Sequence, residues 1–267
     1  MNVRVATRER IEAAHRYGAF YGGYLASHYP MAIVALEGMG ATDDDIDRFG
    51  SHYLQQLEPL QEAIVTIEPG DEAAHLGSPR AFPEWVLYFS KAIAGDGVDA
   101  TLGRWIDRLL PAFAAGAFHG AIRMGYALES GSDKEMAHAL AYWAAAYEPL
   151  PPPPVPGGSR TPGEVLASIA EDSAHAGRRL PGSNILERTV KAAGLPDFEP
   201  LVASVDPARL DLDSVARGLL QAYVASGDFT VLHSVTGTHA FRLLVPHMRE
   251  PEAALRYLWS AVVAAYL

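Results

Sequence analysis

The chain has 267 residues, of which 49% are hydrophobic, with 24 Gly, 19 Pro and no Cys. That length suits one large domain or two small ones, and without cysteine there is no disulfide framework, thiolate metal site or cysteine nucleophile, so any metal must be held by nitrogen and oxygen. With 21 Lys+Arg against 32 Asp+Glu the net charge is −11, which removes the electrostatic drive toward nucleic acid or an anionic membrane.

The N-terminus carries arginines and runs straight into amphipathic sequence, without the apolar core of a signal peptide. The longest nearly uncharged run, 111–122, is too short for a bilayer span of about 20 residues. The expectation is a cytoplasmic protein with neither nucleic acid nor membrane as partner.

From Thr7, the residues Ile11, Ala14, Tyr17, Tyr21, Tyr24, Leu25 and His28 recur at steps of three and four, predicting a helix. Gly18, Gly22 and Gly23 interrupt it, either because another backbone packs close or because the helix kinks. A second apolar run starts at Met31, after Pro30. Thr42 and Asp45 form a capping box ahead of a face of Ile46, Phe49, Tyr53 and Leu57, which Pro59 ends. A short helix is predicted at 84–94, with Trp85, Phe89 and Ile93 four apart, and a long one through Leu102, Trp105, Leu109 and Phe113, which Pro111 kinks or restarts. Ser132 and Glu135 read as a second capping box, leading into Met136, Leu140, Trp143 and Tyr147.

Residues 151–154 and 156 are prolines without a backbone donor, so this stretch cannot be helix or central strand. Thr161-Pro162-Gly163-Glu164 restarts a helix, and 183–193, 211–225 and 251–267 read as further ones. Segments 63–67 and 229–235 are candidate strands, the latter for its β-branched residues. The fold class is all-α. It is one large multi-helix domain around a buried polar cavity, or two helical subregions, 1–148 and 161–267, divided by the Pro-rich loop at 149–160.

Within 111–126 the only strongly polar side chains are His119 and Arg123, on one face of an otherwise all-apolar helix. Two readings stand: a core histidine bonded to a carbonyl with Arg123 paired to an acid, or a polar cavity holding a metal or an oxygen-rich substrate. His28 sits on an apolar face beside Pro30, and His233 and His239 lie inside apolar sequence. Six residues apart, His233 and His239 differ by about 120° around a straight helix, so both reach one ion only if Thr236-Gly237 distorts it. His15, His52, His75, His138, His175 and His247 have charged, small or turn-forming neighbours and read as solvated. No zinc-protease, phosphate-loop, dinucleotide or nucleophile-elbow motif occurs.

Four segments together carry a family resemblance: Ser27-His28-Tyr29-Pro30-Met31 with the turn that follows at 35–40, Ala117-Phe118-His119-Gly120-Ala121-Ile122-Arg123-Met124-Gly125-Tyr126, Ala139-Leu140-Ala141-Tyr142-Trp143, and Leu232-His233-Ser234-Val235-Thr236-Gly237-Thr238-His239-Ala240. Over roughly 17–267 the chain resembles the questin oxidase-like family, whose better-known members act on anthraquinones and related aromatic polyketides. The resemblance implies a helical, flavin-free oxygenase in which histidines converging on one cavity bind a non-haem iron (Fe). Carried over by motif, the ligands are His28, His119 and His233, with His239 a further ligand or a residue acting on substrate. Arg123, one turn from His119, is expected to face the same cavity and to pair with a carboxylate or orient an anionic substrate oxygen. Neutral imidazoles are good iron ligands. Each needs its other nitrogen held by an acceptor, for which Thr236, Thr238, Tyr21, Tyr24 and backbone carbonyls are candidates.

The implied partners are a small hydrophobic aromatic substrate and dioxygen. A flavin-free Baeyer–Villiger-type oxidation with NADPH is a second reading, without a nucleotide-binding motif behind it, and a non-catalytic helical binding protein is a third. The family's Asp-Glu-His-x-Ile-Lys segment, which adds a histidine and a lysine to the site, has no counterpart among Lys91, Lys134 and Lys191, the lysines present. Weaker iron retention than in full-length relatives is therefore expected.

Overall fold

The computed structural model describes residues 3–23, 25–175, 177 and 180–267. The described residues form thirteen α-helices and one two-stranded hairpin, an all-α fold. None of the helices is long and apolar enough to cross a membrane. The chain divides into two compact units, residues 1–105 with 120–147, and residues 106–119 with 148–267.

In the first unit, the helix expected to run on to His28 stops early. Helix α1, Val5–Ala13, unwinds through a 3-10 turn at Ala14–Arg16, and β1 (Phe20–Tyr21) then pairs antiparallel with β2 (Leu25–Ala26). Gly22 and Gly23, at φ 51° and 84°, supply left-handed backbone that glycine adopts without strain, so periodicity at 17–28 is overridden by a turn. Tyr24 lies outside the described residues. Gly18 does meet another backbone, donating to the Glu58 carbonyl at 2.9 Å. Helices α2 (Tyr29–Gly38) and α3 (Asp43–Tyr53) follow, the latter with both halves of the Thr42/Asp45 capping box formed. Ile11, Tyr29, Ile33, Val34, Ile46 and Leu57 make their common core.

Helix α4 (Phe82–Asp96) packs against α7 (Asp133–Ala145). Trp105 of α5 (Val98–Leu109) meets Trp85 and Phe89 edge-on, at 5.4 and 4.9 Å. The candidate strand at 63–67 has no regular structure. The expected apolar helix over 111–126 is broken. A 3-10 turn at Leu110–Ala112 leads to Gly116, Ala117 and Phe118, all left-handed at φ 55°, 58° and 65°, and α6 begins only at His119 and runs to Ser130.

Residues 147–157 carry no regular structure. The stretch is anchored where the Gly158 N–H donates to the carbonyls of Ala203 and Val205. The second unit's helices are α8 (Pro162–Glu171), α9 (Ile185–Ala193), α10 (Phe198–Ala203), α11 (Leu212–Ser226), α12 (Phe229–Leu244) and α13 (Pro251–Tyr266). Leu258, Trp259, Val262 and Val263 of α13 are buried, and the Trp259 indole donates to the Val202 carbonyl at 3.0 Å. The second candidate strand, 229–235, is instead the first half of α12. The Asp228 side chain accepts from the Thr230 and Val231 N–H groups, and that cap outweighs β-branched propensity.

Candidate functional site

Two of the histidines singled out in the sequence meet in the second unit. The left-handed run at 116–118 turns the chain so that one carbonyl, that of Gly116, accepts both the His119 N–H, at 3.3 Å, and a hydrogen bond from the ring Nδ1. On α12, Nδ1 of His233 lies 2.7 Å from the Phe229 carbonyl, one turn back. The rings of His119 and His233 sit edge to face with centres 5.0 Å apart, both buried, and the Phe229 ring lies 4.5 Å from that of His233.

A carbonyl oxygen only accepts, so Nδ1 carries a proton in both histidines, and the tautomer this selects has its lone pair on Nε2. His28, in the first unit, is set the same way, with Nδ1 2.7 Å from the Ala26 carbonyl, although it is exposed rather than on a buried face. A backbone carbonyl thus holds Nδ1 in all three rings. Thr236 and Thr238 bond to carbonyls of their own helix. His239 differs. It is exposed, and its Nδ1 lies 3.4 Å from Arg242 Nη2, which can only donate, so Nε2 carries the proton. Helix α12 is continuous through Thr236 and Gly237, leaving His239 about 120° around the axis from His233.

Among the described residues no group of three or more His, Asp or Glu side chains gathers as a metal cage. What the second unit offers is a pair of imidazoles, each with Nδ1 held on a carbonyl. Side by side on one ion, with metal–nitrogen bonds of about 2.1 Å, two imidazoles have ring centres about 5 Å apart. The spacing and the tautomers fit a nitrogen-ligated iron.

Arg123 is enclosed within the first unit. In the first unit its Nε and Nη2 donate to Glu135 at 2.8 and 3.2 Å, and Glu135 also accepts from His15 Nε2 at 2.8 Å. The His15 ring stacks on His138 at 3.9 Å. Burial pushes the Glu135 carboxyl pKa up, but the charge of Arg123 and the hydrogen bonds from His15 and Arg123 outweigh it and bring it to about 2. Burial, with His15 and Arg123 acting in the same direction, holds His138 neutral, its pKa down to about 3. A cavity of about 10 Å³ beside His15, Ser27, Tyr29, Arg123 and Glu135 has room for one water at most.

Of the histidines read as solvated, His138 and His175 are buried, His175 with Nε2 2.6 Å from Asp197, and His15 is paired with Glu135. The Ser132/Glu135 capping box is half made. Ser132 Oγ accepts from the Glu135 N–H, while the Glu135 carboxylate is engaged by Arg123 and His15. The signal for this cluster was present in part, since a buried arginine requires a buried acid.

A family model described as Questin oxidase-like matches residues 25–267. No curated protein matches the chain.

Proposed function

The chain belongs to the questin oxidase-like family, and we propose that it is an oxidoreductase that uses dioxygen on a small hydroxylated aromatic substrate, with a non-haem iron held by His119 and His233. One observation carries this reading: two buried imidazoles, 5.0 Å apart, with Nδ1–H anchored on the carbonyls of Gly116 and Phe229. Such anchoring fixes ring orientation and raises the basicity of Nε2 toward a metal. Iron supplies a Lewis acid for a phenolate or quinone oxygen and a centre for dioxygen activation. The chain's own part is to hold the proton on Nδ1 in both rings and, by burying them, to keep water from competing for Nε2. His239, protonated on Nε2, is suited to donate to a substrate oxygen rather than to ligate.

Metal analysis of protein purified without chelator tests this. Stoichiometric iron is expected in the wild type and its loss in His119→Ala and His233→Ala, with His28→Ala measured alongside. Oxygen uptake with a hydroxylated anthraquinone or a smaller phenol should follow the iron. Tight binding of the aromatic with neither iron nor oxygen uptake would replace this reading with a helical binding protein.

A further inference from the structure

His119 and His233 belong to segments far apart in the chain, yet their rings lie 5.0 Å apart. The bond from each Nδ1 to its own local carbonyl sets the ring's tautomer and not its distance from the other ring. The residue before His119 is Phe118, whose φ of 65° is rare for a bulky side chain. Its ring is fully buried and lies against Gly237, one turn beyond His233 on α12. A Cβ at Gly237 would stand 2.8 Å from Phe118 Cδ1, 3.1 Å from Cγ and 3.2 Å from Cβ, so only hydrogen fits there. Glycine inside a helix weakens it, and this contact is what the glycine permits. Phe113 closes the other side, edge-on to Phe118 at 6.0 Å and to Phe241, the next turn of α12, at 5.7 Å.

We infer that Phe118 seated on Gly237 is the positioning contact that sets the distance between His119 and His233, and that the left-handed backbone at 117–118 is kept for that purpose. His119 is one residue from the contact along the chain and His233 one helical turn, so a displacement of the Phe118 ring is transmitted to the pair. The inference rests on the metal reading only for the meaning of that distance. The contact itself is independent of it.

The test is Gly237→Ala in the full chain, with two readouts. The first is the nuclear Overhauser cross-peak between the imidazole protons of His119 and His233 in protein carrying ring-labelled histidine, without metal. The second is affinity for Co(II), used as a spectroscopic probe, with its visible bands. The wild type should show the cross-peak. Gly237→Ala should lose it and bind Co(II) about tenfold or more weakly, while Phe118→Leu added to Gly237→Ala should recover most of the affinity by removing the clashing ring. Should Gly237→Ala fail to fold by circular dichroism, Phe118→Leu alone is read in the same way, and it should weaken both signals. Cross-peak and affinity unchanged in whichever single variant folds would overturn the inference. A wild-type cross-peak that Gly237→Ala abolishes, in a protein that binds no Co(II), would uphold the positioning contact and sink the metal reading instead.

Discussion

Arg123 and Glu135 close a bidentate ion pair inside the first unit, Nε to Oε1 at 2.8 Å and Nη2 to Oε2 at 3.2 Å, with 6% and 1% of their side chains exposed. A pair so enclosed contributes little over an apolar replacement, but losing one partner strands the other charge. Glu135→Ala should therefore cost about 3–5 kcal/mol, and Arg123→Met combined with Glu135→Leu much less. Urea unfolding measures both. A single-variant loss below about 1 kcal/mol would mean that water reaches the guanidinium.

The same cluster sets an acid limit. The folded-state pKa of Glu135, about 2, lies below its ordinary 4.5, so its contribution is complete above 4.5 and is lost as pH falls toward 2. His138 is held neutral down to about 3 against an ordinary 6.5, so the unfolded chain takes up that proton first and stability begins to fall below 6.5. Denaturation midpoints against pH should decline in two stages, and His138→Gln should remove the earlier one. A flat wild-type curve between pH 6.5 and 4.5 would contradict this account of His138.

Glycine positions separate contact from propensity. At Gly158 a Cβ would stand 1.8 Å from the Ser204 carbonyl oxygen, a backbone atom, whereas at Gly95 on α4 nothing lies within 4 Å. Gly158→Ala should destabilise by at least about 1–3 kcal/mol and make 147–157 more readily cleaved by protease. Gly95→Ala should stabilise by about 0.5–1 kcal/mol. Melting curves of the two variants should move in opposite directions.

Glu84 is 6% exposed, with Oε1 accepting from the Ile64 N–H at 2.9 Å and Oε2 buried without a hydrogen-bond partner among the described residues. Glu84→Gln keeps the acceptor and removes a charge that burial disfavours. Its stability should match or exceed the wild type by up to about 1 kcal/mol. A loss beyond about 2 kcal/mol would reveal a cation or donor serving that oxygen.

Local signals were legible in the sequence because their causes are local. The Thr42/Asp45 and Thr161/Glu164 boxes form as the spacing demands, each closed within four residues. Ser132 and Glu135 have the same spacing, yet His15, 120 residues away in sequence, shares the carboxylate, and no local pattern contains that partner. At 229–235, β propensity lost to the single side chain of Asp228. His119 and His233 stood out as polar residues in apolar runs, whereas His15 and His138 did not, because packing rather than neighbouring sequence buries them. The tautomers were out of reach, being decided by which carbonyl the backbone brings to each Nδ1.

The family match opens at residue 25, but the first unit's interior does not. Thr7 and Ile11 of α1 are buried, Arg8 Nε donates to the Ser130 carbonyl at 3.1 Å, and Glu12 accepts from Ser132 Oγ and Lys134 Nζ at 2.9 Å each. A fragment trimmed to the span of recognisable similarity would lose the imidazole on Glu135 and lay the Arg123 pair open to solvent. Similarity along a sequence records what relatives share, and the edge of a cooperative folding unit is drawn by burial, so here the second boundary lies outside the first.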